Sequence, residues 1–318
     1  MAAAPDDPTP RAPSPAAAAA PSPVAGRAPA DGGVTTPSQR GGTAPPAPSY
    51  GRAGRNLVAA TGVGVVLGGL ILVSLFVQKV VFVGVVVVAI TVAVVELSGA
   101  LRARAVRVPL VPAVIGGAAM LLAAYVGGAE ALTVGLFLTA VAVFAWRLGE
   151  PGEGYVRDAT AGVFTAAYVP FLAGFAVLLT REDDGAWRVL VFLLAVVASD
   201  IGGYLFGVLF GRHPMAPTVS PKKSWEGFAG SLLLCVTVCT ATVVLALDGS
   251  WTAGVLLGLA VLGSATLGDL GESLVKRDLG VKDMGDLLPG HGGIMDRLDS
   301  MLPTAPVAWL VLSALVPA

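Results

Sequence analysis

From Leu57 to the C-terminus the chain is a succession of apolar runs, each 16 to 22 residues long, parted by short polar links. A helix needs about 20 apolar residues to cross the hydrocarbon core of a bilayer, so these runs read as membrane spans. Nine are predicted: Leu57–Val77, Val80–Leu97, Pro109–Val126, Ala131–Trp146, Ala159–Leu179, Val189–Phe210, Phe228–Leu247, Thr252–Leu270 and Leu302–Pro317. The expected fold class is an all-α integral membrane protein, a polytopic bundle of about nine transmembrane helices with a disordered N-terminal tail.

That tail, residues 1–56, holds 12 of the 23 prolines among Ala, Ser, Thr and Gly, with no run able to bury a core. The first apolar run starts too late and extends too far for a secretory signal. Residues 57–318 are therefore read as a single transmembrane domain. Only 13% of residues are charged, against about 25% in soluble domains. Twenty Lys and Arg against 21 Asp and Glu give a net charge of −1, which argues against a nucleic-acid partner held by bulk positive charge. Cys235 and Cys239, four apart in an apolar run, read as helix packing.

Lys and Arg collect on the cytoplasmic side of membrane proteins. With the N-terminus cytoplasmic, only Lys79, Arg181 and Arg188 of the 20 basic residues fall outside. The expected setting is the cell membrane, with the polar loops after Phe210 and Leu270 on the cytoplasmic side.

Two polar centres interrupt this pattern. Asp200 lies inside the sixth span, where an ionisable group costs on the order of 2.5–3.5 kcal/mol even on the lenient insertion scale, so it must face water, a metal or a cation. Residues 269–299 hold seven of the 21 acids, interleaved with Lys276, Arg277, Lys282, His291 and Arg297, and among their glycines Gly280, Gly285, Gly290, Gly292 and Gly293 suit close approach to an anion. A third element, Ser220-Pro-Lys222-Lys223-Ser224-Trp-Glu-Gly227, offers charges and backbone N–H groups at a helix entry. Glu96, at the end of the second span, reads as interfacial packing, and His213 as a surface residue.

The run from Ser273 to Asp299 follows the pattern S-x-x-K-R-x4-K-D-x5-P-x-H-G-G-x-x-D-R-x-D over 27 residues. It resembles the signature of the phosphatidate cytidylyltransferases, the CDP-diacylglycerol synthases. Ser199-Asp200, Gly203-Tyr204, Gly211-Arg212 and the Lys222-Lys223 run resemble that family's upstream elements. The likeness extends over residues 57–318, in general hydropathy alone before Asp200.

The resemblance implies transfer of a cytidylyl group from CTP to phosphatidic acid, with pyrophosphate released and CDP-diacylglycerol left in the bilayer. A lipid phosphate is already anionic, so the chemistry calls for positioning and charge neutralisation rather than a dedicated base. The implied roles follow. Asp269 and Asp296, then Asp200 and Asp299, are expected to hold Mg²⁺, whose number of ions stays open, as does a monovalent cation. Lys276, Arg277, Lys282 and Arg297 would clamp CTP phosphates. Asp283 would orient Lys282, and His291 would donate to a phosphate oxygen. Lys222 and Lys223, with Ser224, Ser273, Gly292 and Gly293, would bind substrate. In a helical stretch, Asp296 and Asp299 share a face. A homodimer is left open.

Two other readings compete. One is a CTP-dependent enzyme acting on another membrane lipid. The other is an ion-coupled transporter, which accounts for embedded acids but not for the 27-residue motif. The Asp-Gly-x-x-Ala-Arg element of CDP-alcohol phosphotransferases is absent.

Overall fold

The computed structural model describes residues 57–150, 152–285 and 292–317. The expected tail, residues 1–56, lies outside the described residues, as does His291. The helices are α1 (Leu57–Val77), α2 (Lys79–Arg102), α3 (Leu110–Leu148), α4 (Tyr155–Leu179), α5 (Gly185–Phe210), α6 (Trp225–Ala246), α7 (Trp251–Leu279), α8 (Met295–Leu298) and α9 (Met301–Leu315). A two-stranded antiparallel hairpin, β1 (Pro214–Ala216) and β2 (Ser220–Ser224), joins α5 to α6. Seven helical segments are long and apolar enough to span a membrane, and the outward faces carry large apolar side chains such as Val126, Phe137, Leu245 and Leu267.

The 39 residues of α3 would extend about 58 Å as a straight helix, nearly twice the hydrocarbon thickness. The segment doubles back instead. Gly128 adopts φ 76° and ψ −159°, a conformation open essentially to glycine, and the two arms then pack together with Gly116 against Thr139 and Gly135 against Met120. The arms match the predicted third and fourth spans. With α1 and the α8–α9 segment, the described residues make nine passes.

Cross-links assign the loops to two ends. At one, Lys79 donates to the carbonyls of Glu182 (2.5 Å) and Asp183, and buried Arg188 donates to the carboxylate of Asp184 and the carbonyls of Leu312 and Val316. At the other, Arg104 donates to the Leu279 carbonyl at 2.8 Å, the Arg107 N–H to Asp158, and Arg277 to the Val219 carbonyl. The three basic residues expected outside thus lie at the first end, and the twelve others that the structure describes lie at the second.

Polarity marked where the spans leave the bilayer, not where the helices stop. The eighth run ends at Leu270, yet α7 continues to Leu279, where Gly280 caps it in the left-handed conformation (φ 65°). Likewise α6 begins at Trp225 because the Ser224 hydroxyl accepts the Gly227 N–H at 3.1 Å. In α4 the turn Ala167–Phe171 is a π-helix around Pro170, which has no N–H to give the α-helical ladder.

α5, α6 and α7 form the closest-packed part of the bundle. A Cβ at Gly202 would meet the Gly230 carbonyl, one at Gly254 would meet Thr240, and one at Gly258 would meet Val236. In lipid, where apolar burial drives association weakly, such small-residue contacts let backbones approach and gain dispersion energy. Cys235 and Cys239 are free and buried in this core, their sulfurs 4.0 Å apart, as helix packing requires.

Candidate functional site

α5 and α7 run in the same direction with α6 antiparallel between them. Asp200 and Asp269 each stand ten residues before the last residue of their helix, so both acids lie at a similar height, about 15 Å before their helices end. Between them lies a cavity of about 250 Å³, lined also by Tyr204, Lys222, Lys223 and Ser224. β2 turns Lys223 back into it, and its ammonium lies 2.6 Å from Asp269 Oδ2, both side chains 27% exposed. The structure therefore joins the lysine run to the embedded acids, 46 residues apart in sequence. Lys222 is exposed at the cavity mouth, and Ser224 serves as the α6 cap while lining the wall.

Asp269, Glu272 and Lys276 recur at three and seven residues and share one face of α7. Asp296 and Asp299 come up against that face, as their helical spacing predicted. Lys276 Nζ sits 3.1 Å from Asp296 Oδ1 and 3.3 Å from Glu272 Oε2. Glu272 lies close enough to Asp299 for the two charges to interact directly. It is 1% exposed, with the Lys276 ammonium as its ion-pair partner. Asp200, Asp269 and Asp299 repel one another, and Lys223 and Arg297 offset the charge on Asp200. Tyr168, on the π-helical turn of α4, stands in the field of Glu272, Asp299 and Asp269.

Asp296 has a different environment. It is buried, and besides Lys276 it accepts the Met284 N–H on both oxygens (3.2 and 2.9 Å) and the Gly293 N–H at 2.9 Å. A carboxylate has about four lone-pair directions, and these donors take them. In this structure Asp296, expected at the head of the metal set, holds the loop and Lys276. Gly293 likewise spends its N–H on Asp296 rather than offering it to a phosphate. Gly292 takes φ 80°, where a side chain would be strained, and lies beside Asp283 and Asp296.

The remaining expected residues spread around this core. Ser273 is half-buried on α7, Lys282 and Asp283 are exposed on the loop that follows, and Arg297 is exposed after Asp296. Arg277 turns away from the acids and fastens α7 to the hairpin through the Val219 carbonyl. His213 is exposed and pairs with Glu226 at 2.6 Å. Glu272 and Tyr168 have no role in the sequence reading, and Glu96 only that of interfacial packing. Glu272 alone carried a signal, its spacing from Asp269 and Lys276.

Among the described residues no set of three or more His, Cys, Asp or Glu side chains meets the geometry of a preformed metal site. The donor chemistry nevertheless suits Mg²⁺, which uses one or two carboxylates and fills its remaining positions with water and substrate phosphate. Asp200 and Asp269 are hard oxygen donors lining one cavity, and Asp299, close enough for its charge to act on both, adds a third.

Comparisons with known proteins agree on one family. A family model described as "Cytidylyltransferase family" matches residues 58–315. A protein of Mycobacterium leprae (strain TN) named phosphatidate cytidylyltransferase is 46% identical over 282 residues, covering 83% of this chain and 90% of that protein. One of Mycobacterium bovis with the same name is 45% identical over 284 residues, covering 85% and 92%. One of Staphylococcus aureus (strain COL) is 38% identical over 157 residues, covering 49% and 59%.

Proposed function

The chain belongs to the cytidylyltransferase family, and from that premise we propose that it transfers a cytidylyl group from CTP to phosphatidic acid, yielding CDP-diacylglycerol and pyrophosphate. The observation that carries this reading is the 2.6 Å Lys223–Asp269 pair in a cavity set at the polar end of membrane helices. There a soluble polyanion and a lipid headgroup can meet.

The attacking group is a phosphate oxygen of the lipid, which forms a bond to the α-phosphorus of CTP as the bond to pyrophosphate breaks. Both reactants are anions, so the protein's work is alignment and charge balance. Lys222 and Lys223 at the cavity mouth bind phosphate, with Ser224 and Ser273 beside them. Lys276, Lys282 and Arg297 surround the CTP phosphates, and Arg277 fixes the hairpin that carries the lysine pair. Asp200, Asp269 and Asp299 would hold Mg²⁺, which when bound neutralises phosphate charge. Asp296 keeps Lys276 and the loop in register. We place the polar end in the cytoplasm, because it carries the basic residues.

One experiment tests both reaction and orientation, since CTP does not cross a bilayer. Sealed vesicles of each orientation receive external labelled CTP, Mg²⁺ and phosphatidic acid. The expected result is labelled CDP-diacylglycerol from inside-out vesicles and little from right-side-out ones. No labelled lipid in either overturns the activity, and the reverse pattern overturns the orientation.

A further inference from the structure

Glu96 lies on α2, 199 residues from the amide it binds. Its Oε2 accepts the Met295 N–H at 2.8 Å, while its Oε1 is buried and, among the described residues, makes no hydrogen bond. The carboxylate is wedged between two glycines. A Cβ at Gly285 would strike Oε1, and one at Gly293 would fall 2.5 Å from Oε2 and 2.8 Å from Cδ. Gly285 and Gly293 flank, in sequence, the Pro-Gly-His-Gly part of the signature. Asp296 ties the same neck from the inside through Met284 and Gly293. Two acids from distant parts of the chain thus fix the amides of residues 284, 293 and 295. The segment bearing Asp296, Arg297 and Asp299 is then set by α2 as well as by its own contacts.

A bland packing role does not account for this placement. A half-buried carboxylate near a helix end could turn toward water, whereas here one oxygen holds a loop amide and the other is buried against the glycines at 285 and 293. The absence of side chains at 285 and 293 is what admits it. Resting on the cytidylyl-transfer reading above, we propose that Glu96 is a positioning residue for that reaction: it clasps the neck of the signature loop and sets where Arg297 and Asp299 stand relative to the α7 acids.

The test uses the full chain in nanodiscs, with Glu96→Ala, Glu96→Gln, Gly293→Ala and the double variant Glu96→Ala/Gly293→Ala. Hydrogen exchange is read over residues 283–300 and over α5–α6 as an internal reference, alongside kcat and KM for CTP. Displacement of a reacting array by about 1 Å can cost on the order of 100-fold, so Glu96→Ala is expected to lower kcat roughly 30- to 100-fold. Its KM for CTP should rise by less than kcat falls, since Arg297 shifts with the loop while Lys276 stays on α7. Exchange should rise at 283–300 and stay at wild-type rates in α5–α6. Glu96→Gln keeps an acceptor for Met295 and should recover most of the rate. Gly293→Ala should reproduce the Glu96→Ala defect, and the double variant should be little worse than either, because both break one contact.

Wild-type exchange at 283–300 with unchanged kcat in Glu96→Ala overturns the proposal. So does exchange that rises equally in α5–α6, which marks general destabilisation. If wild-type protein makes no labelled lipid, the reaction reading fails, while the exchange arm still reports whether Glu96 holds the loop.

Discussion

Asp269 and Asp296 both belong to the polar end of the bundle, and both are paired with a lysine. Asp269 meets Lys223 across an open cavity, each 27% exposed, with room beside them for a ligand. The Asp296 side chain is 4% exposed and its oxygens are engaged by Lys276 and the amides of Met284 and Gly293. The same side chain therefore serves two ends. A carboxylate whose acceptor directions are open can exchange its lysine for a phosphate-bound cation, whereas one that is saturated by backbone donors fixes a chain segment.

The contrast is sharpest under neutralisation at each position. Asp269→Asn removes charge from the open site and should reduce turnover by roughly 1000-fold while thermal stability in detergent stays near wild type, the upper range for one preorganised electrostatic group. Near-normal turnover with unchanged Mg²⁺ dependence would place the metal elsewhere. Asp296→Asn trades an acceptor oxygen for an NH₂ that opposes the loop amides. A loss of about 100-fold is expected, with faster hydrogen exchange at Met284 and Gly293 and little change in the Mg²⁺ concentration for half-maximal rate. A large shift in that concentration would return Asp296 to the metal set and erase the distinction. Arg277→Gln tests a residue that the signature includes but the geometry turns outward. Losing one exposed bond to the Val219 carbonyl should cost only a few-fold in kcat/KM, and a drop as deep as that of Asp269→Asn would show that Arg277 reaches substrate.

The bundle itself was legible because bilayer thickness imposes a length on every apolar run, and the break between Val126 and Ala131 fell where Gly128 reverses the chain. The functional acids were legible as a set but not as individuals. Asp200 and Asp269 announced themselves by sitting in apolar surroundings. What separates Asp296 from Asp299 is which backbone N–H groups point at each, and side-chain spacing holds no record of that. Glu96 was read as packing because its partners come from the other end of the chain, and only the folded loop brings Met295 to it. The predicted span ends at Leu270 while α7 runs on until Gly280 stops it, because hydropathy follows the apolar run and not the backbone ladder.

The glycine contacts among α5, α6 and α7 give the cavity an uneven compliance. Where Gly202 faces Gly230 and Gly258 faces Val236, backbones already touch, so these helices cannot move closer together, and parting them forfeits dispersion contacts along their length. The acid-bearing walls act as a stiff frame. The hairpin, by contrast, is held at its turn by the Arg277 bond and at its end by the Lys223–Asp269 pair, both partly open to solvent. Any widening of the cavity would therefore fall on the hairpin, and the elastic response of the site would be concentrated in the strand that carries the lysine pair.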